Sequence, residues 1–328
     1  MMLVVRCRVG KAFAAALGGL LVFPACPSLG QAVFTLEPAS STLTMSGTVA
    51  GSPLQQQGPG SLTTTYAGTF LVQLTPNSVQ FVAGGNADAN VNGNWDPLPG
   101  GAAGTAPADY GFQFSLGLLG LARGAVRDLA ADSSSDPIAL SGGTFAANQV
   151  SVSITRGTVD YRSIIASGTS SLVGSSGFNQ STSPATLQIV RNALQGTATA
   201  TMQIPVQAVV VGTIDLIGPA TINFNGQFRG AATTINGDAN FDRVVNIADF
   251  SVLAANFNQP GDWLSADFDG SGTTAIGDFS LLAANFNQTA PAARVSPPRT
   301  GGIVPEPGTV VVGLAIPFLS RRRRRFNR

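Results

Sequence analysis

The chain has no histidine, only two cysteines, one lysine (Lys11) and two glutamates (Glu37 and Glu306) among its 328 residues. Without histidine, Ser-His-Asp and Cys-His catalysis, imidazole-ligated metals and a histidine general base are all excluded. Cys7 and Cys26 both lie in a segment that reads as a removable leader, so the expected mature chain has no disulfide and no thiolate metal site. Charge is also scarce, at 11% of residues. The near absence of Lys and Glu, set beside 39 glycines and 20 prolines, disfavours helix and favours β-structure with many turns. Between residues 33 and 303 there are 16 acidic side chains and 9 basic ones, a balance that argues against nucleic acid as a partner.

The basic residues concentrate at the two ends. Arg6, Arg8 and Lys11 precede an apolar run from Ala12 to Ala25 and a small-residue segment ending at Ala32. This is the three-part pattern of a secretory signal peptide, residues 1–32, and the apolar run is too short to span a bilayer.

From residue 33 to 235, short apolar and β-branched runs alternate with turn clusters. In QVSVSITRGTVDY, Val150, Val152 and Ile154 alternate with Ser151, Ser153 and Thr155, which places one face on a core and the other in water. Many such runs predict a mainly β body, an antiparallel sandwich or barrel. Leu121–Ala130 is the one stretch that reads as a helical turn, interrupted by Gly124.

The body holds Asp88, Asp96, Asp109, Asp128, Asp132, Asp136, Asp160 and Asp215. Glycoside hydrolysis needs two carboxyl groups about 5 to 10 Å apart. Most of these aspartates stand in Gly/Ser/Pro-rich turns, where Asp bonds its own backbone, so no catalytic residue is assigned. The segment NADANVNGNWDP spaces oxygen side chains like the first half of a calcium loop, yet Pro99 occupies the twelfth position, and an Asn/Gly hairpin is the competing account. Trp95 and Tyr110 flank it as a candidate sugar-stacking face.

The tandem segment at 236–289 carries the firmest chemistry. Residues 238–259 and 267–288 agree at 12 of 22 positions when offset by 29, and the tail FSxLAANFNQ recurs. A repeat of this kind is a structural unit used twice. In the first loop, positions 1, 3, 5, 9 and 12 are Asp238, Asn240, Asp242, Asn246 and Asp249, with the Val244 carbonyl at position 7. The second offers Asp267, Asp269, Ser271, the Thr273 carbonyl and Asp278. Six or seven oxygens at this spacing suit a hard dication, so two Ca2+ sites are expected. A helix starting near Asp249 would carry Phe250, Leu253 and Phe257 on one face, and its repeat Phe279, Leu282 and Phe286. Weak extracellular calcium sites, with Kd around 10⁻⁴ to 10⁻³ M, contribute about 4 to 5.5 kcal/mol each.

Two loops of this form, each followed by one helix and ending in Asp at position 12, resemble a type I dockerin. The resemblance implies a small α-helical module that folds on calcium and docks onto a cohesin domain, often to attach polysaccharide-degrading enzymes to a scaffold. The family's recognition residues fall at loop positions 10 and 11, here Ile247 with Ala248 and Ile276 with Gly277. Those apolar pairs, Arg243 at position 6 and Ala275 at position 9 depart from the family pattern. A cohesin-like or other surface protein is therefore the expected partner.

After an Ala/Pro linker at 290–303, VPEP at Val304–Pro307 precedes an apolar run and the five arginines Arg321 to Arg325. Residues 304–328 resemble a PEP-CTERM sorting signal, which implies transient contact with the inner membrane and an exosortase of a Gram-negative envelope. Together these features predict an exported protein of the outer cell surface or extracellular matrix, with a non-catalytic role as the leading reading and the question of an enzyme left open. The competing reading is a polysaccharide-degrading enzyme or glycan-binding protein carried by its dockerin.

Overall fold

The computed structural model of the protein describes residues 30–214 and 217–291. Residues 1–29 of the expected leader, Asp215, the linker after Pro291 and the sorting signal lie outside the described residues.

Alternating burial produces the strands of the body. In β1 (Ala32–Leu36), Ala32, Phe34 and Leu36 are buried and Val33 and Thr35 are less so. Ala32, expected as the last leader residue, already pairs with Val72. The other principal strands are β2 (Thr42–Val49), β3 (Thr63–Thr75), β4 (Ser78–Ala89), β5 (Tyr110–Ser115) and β6 (Leu121–Ser134). After them come β7 (Ser151–Arg162), β8 (Ser176–Phe178), β9 (Ala185–Asn192), β10 (Thr197–Ile214) and β11 (Gly218–Ile235). They join in one antiparallel sheet, in the order β9-β10-β11-β1-β3-β4-β6-β7. β2 bridges β11 and β3, β5 lies on β6, and β8 lies on β7.

The sheet curls until its far side meets β10. The Gln180 N–H donates to the Gln207 carbonyl (2.7 Å), and the Gln207 N–H donates to Asn179 Oδ1 (2.9 Å), which ties the segment after β8 to that strand. Two glycines let β2 and β11 cross closely. A Cβ on Gly47 would sit 2.0 Å from the Thr221 carbonyl, and one on Gly226 2.0 Å from that of Thr42, both at positive φ where only glycine is at ease. The enclosed core is aromatic along Phe34, Phe70, Phe81 and Phe145, with successive ring centroids 5.2, 5.8 and 6.0 Å apart.

Leu121–Ala130 is strand and not a helical turn. It pairs with β5 on one side and β7 on the other, so its backbone bonds go to the ladder. Gly124 is required there because the Phe112 ring lies where its Cβ would be, 2.2 Å away.

β11 ends at Ile235 and the chain enters the tandem segment, with α1 at Ile247–Asn256 and α2 at Ile276–Asn285. Sheet and tandem segment belong to one compact unit. Each helix is 10 residues long and begins at loop position 10, two residues before the expected start, because the side chain of position 12 caps it: Asp249 accepts the Asn246 N–H and Asp278 the Ala275 N–H, both at 2.8 Å. Only Leu253 and Leu282 of the expected apolar face are fully buried. Phe250 and Phe279 stay half-exposed, edge to face at 6.2 Å, while Phe257 and Phe286 fall just beyond the helices. Among the described residues no helix is long and apolar enough to cross a membrane.

Candidate metal centre

The two halves of the tandem segment are related by an approximate two-fold arrangement. Val244 of the first loop pairs with Thr289 beyond α2, and Thr273 of the second loop pairs with Pro260 beyond α1. Each loop is thus closed by the tail of the other half. The main-chain bonds repeat accordingly: Val245 N–H to the Gln288 carbonyl (3.0 Å), and Thr274 N–H to the Gln259 carbonyl (3.1 Å).

Both loops turn left-handed at positions 4 and 6. In the second loop these are Gly270 (φ 73) and Gly272 (φ 84), whereas in the first they are Phe241 (φ 62) and Arg243 (φ 74). A side chain there costs about 1 to 2 kcal/mol per residue. Compensating contacts are visible: the Phe241 ring is buried against Trp263, and Arg243 Nη2 donates to the Ala290 carbonyl at 2.8 Å.

In the second loop, carboxylate oxygens of Asp267, Asp269 and Asp278 lie within 4.8 Å of one another. Asp278 is fully buried and accepts the Phe268, Asp269 and Ala275 N–H groups at 2.7, 2.9 and 2.8 Å. Asp267 accepts those of Gly270, Ser271 and Gly272. Burial raises the Asp267 carboxyl, while bonds from Ser271 hold Asp269 below the usual carboxylate range. Ser271 Oγ donates to the Thr273 carbonyl at 3.0 Å, which places the position-5 and position-7 oxygens together.

The first loop is built from the same parts in a different arrangement. Asp238 is fully buried; its Oδ2 accepts from Thr234 Oγ1 and the Arg243 N–H, and its Oδ1 has no hydrogen-bond partner. Burial pushes Asp238 up to about 7 and Asp249 to about 6. Asn240 exchanges bonds with Asp242 at 3.0 and 3.1 Å, and Asn246 caps α1 through Oδ1 while its Nδ2 reaches the Val244 carbonyl at 3.1 Å. An orphaned buried carboxylate oxygen near two further aspartates is donor chemistry for a hard dication, but among the described residues only Asp267, Asp269 and Asp278 of the second loop converge into a carboxylate cluster that fits one, and Asp238, Asp242 and Asp249 do not.

Three contributors come from outside the ligand spacing. Trp263 lies between the loops, its ring centroid 6.1 Å from that of Phe241 and 5.2 Å from that of Phe268, and its Nε1 donates to the Asp238 carbonyl at 2.8 Å. Arg191 of β9 donates to the Asp269 carbonyl, and Thr234 of β11 holds Asp238. A cleft of about 440 Å³ lined by Arg191, Asp262, Trp263 and Asp267 opens beside the second loop. Trp263 could have been noticed as the one large aromatic in the break between the repeats. Arg191, 78 residues from its partner, carries no local signal.

Four of the body's aspartates are committed to ion pairs. Asp96 pairs with Arg123 and Arg162, Asp160 with Arg127, and Arg156 with both Asp88 and Asp128. The oxygens of the 88–99 segment do not converge either: Asn90 Nδ2 donates to Thr65 Oγ1, Asn92 Nδ2 to the Gly60 and Thr63 carbonyls, and Asn92 Oδ1 accepts from Trp95. Tyr110 is fully buried and offers no sugar-stacking face.

Asp109 stands apart. It is buried, accepts the Leu129 N–H at 2.8 Å, and burial pushes its carboxyl up to about 6. An unfolded Asp titrates near 3.9, so the folded state holds the extra proton between about pH 4 and 6 and stability falls as pH rises through that window. Raising pH from 4.5 to 7.5 at constant calcium should therefore cost the wild type about 2 kcal/mol more than Asp109→Asn, in denaturant titrations of both proteins. An equal pH dependence would refute this.

No protein-family model and no curated protein matches this chain.

Proposed function

We propose that the tandem segment is a calcium-binding, dockerin-like interaction module, and that the protein is an exported surface or matrix component attached through it. The observation that carries this reading is the convergence of Asp267, Asp269 and Asp278, on a loop whose ligand spacing is repeated 29 residues upstream. A metal ion bound there would supply the positive charge that lets these carboxylates lie together unprotonated.

The same reading assigns the partner surface. Ile247 and Ile276, at position 10 of the loops, are 65% and 68% exposed and stand beside the half-exposed Phe250 and Phe279. Apolar side chains in such a cluster mark a protein contact. The partner would be a cohesin-like or other surface protein.

Calorimetric titration of the full chain with calcium tests the metal half of the proposal, with binding expected at Kd around 10⁻⁴ to 10⁻³ M. Absence of any saturable heat, with unfolding temperatures equal in calcium and chelator, would overturn it. For the partner half, Ile247→Asp combined with Ile276→Asp should abolish calcium-dependent capture of the partner while leaving calcium binding intact.

A further inference from the structure

The inward row of β10 reads Met202, Ile204, Val206, Ala208 and Val210. The first three are 0%, 5% and 6% exposed, but Ala208 and Val210 are only partly buried. At this end of the curled sheet the two walls stand apart and leave an apolar cavity of about 140 Å³. Leu129 of β6 and Ile154 of β7 line one side, Ala208 and Val210 of β10 with Phe224 of β11 the other, and Tyr66 of β3 also lines it.

The chemistry of the lining is narrow. It contains no charged side chain. The Tyr66 hydroxyl is engaged with that of Tyr110 at 2.9 Å, so it offers little to a polar guest. Ser175 and Ser176 add the other side-chain hydroxyls of the lining, and the remainder is apolar. A cavity of this size and lining accepts an apolar guest as large as benzene.

Two observations distinguish a binding site from a packing fault. The cavity opens at a rim where Phe178 and Val211 are 65% and 73% exposed, apolar surface that an incoming ligand would cover. Its wall is also pinned: the two hydrogen bonds between residues 179–180 and Gln207 hold β10 beside Ala208, so the void is preformed. We propose that this cavity binds an uncharged apolar ligand, a single aromatic ring or short branched alkyl group, which enters past Phe178. The site belongs to the β-body and is independent of the calcium reading.

Benzene is the probe. Thermal unfolding of the full chain is followed across a benzene titration, once in calcium and once in chelator. Near saturation the midpoint should rise by about 2 to 4 °C in both conditions. Ala208→Leu, which fills the void, should abolish the response without lowering the starting midpoint. Gln203→Leu, on the outward face of the same strand, should retain it. Should Ala208→Leu fail to fold, Val210→Phe takes its place. No benzene-dependent shift in the wild type, or an undiminished shift in the filled variant, would overturn the proposal.

Discussion

Asp278→Ala should lower the unfolding free energy by about 3 to 6 kcal/mol in chelator and remove one calcium site from the calorimetric titration. The first effect needs no metal. Asp278 is fully buried and is the acceptor for three backbone N–H groups, from Phe268, Asp269 and Ala275. Each donor left without a partner costs about 1 to 3 kcal/mol, and the three share one side chain, so their costs do not simply add. The second effect follows from its place in the cluster with Asp267 and Asp269. Asp278→Asn separates the two contributions. It keeps one oxygen for the Phe268 and Asp269 donors and should recover part of the stability in chelator, but it lacks the charge a dication needs. Denaturant titrations in calcium and chelator read both. Unchanged stability of Asp278→Ala in chelator would refute the structural role, and undiminished calcium binding would remove Asp278 from the site.

The repeat was legible because its letters record a repeated geometry. The 29-residue offset that aligns the ligands also relates the bridges Val244 to Thr289 and Pro260 to Thr273, so one spacing describes both the donors and the closure of the loops. Arg243 at a glycine position announces a strained backbone, and its φ of 74 bears that out; Phe241 at φ 62 was not announced, because the strain there is offset by tertiary packing. The β-character of the body was equally plain from its alternation.

Pairing was not legible. β1 and β11 meet across nearly the whole body, as Thr35 opposite Ala231, and no local pattern encodes such a partner. The same limit explains Leu121–Ala130, whose alanines and arginines suit a helix until β5 and β7 claim its backbone. It also explains the boundary at residue 235. Composition changes there, yet Thr234 and Arg191 reach from the sheet into the loops, so the tandem segment is continuous with the body and does not hang from a linker.

Trp263→Ala should cost about 3 to 5 kcal/mol and should weaken calcium binding at both loops together. Removing a buried Trp leaves a large cavity and forfeits its ring contacts, which gives the stability figure. The binding effect comes from position. Trp263 lies in the break between the repeats and belongs to neither loop, but it packs on Phe241, at position 4 of the first, and on Phe268, at position 2 of the second. Its indole N–H also holds the carbonyl of Asp238, whose side chain has the orphaned oxygen. Ordering one loop around a cation therefore orders the wall of the other, and the two sites should bind with positive cooperativity in the wild type. Trp263→Phe retains an aromatic wall without the N–H donor, so it should keep much of the stability while loosening the first loop selectively. The indole also reports on the process: with Trp95 replaced by Phe, Trp263 is the sole tryptophan, and its emission should change on calcium addition. Independent binding isotherms in the wild type, unaffected by Trp263→Ala, would mean that the two loops fold around their ions separately and that this ring is only core.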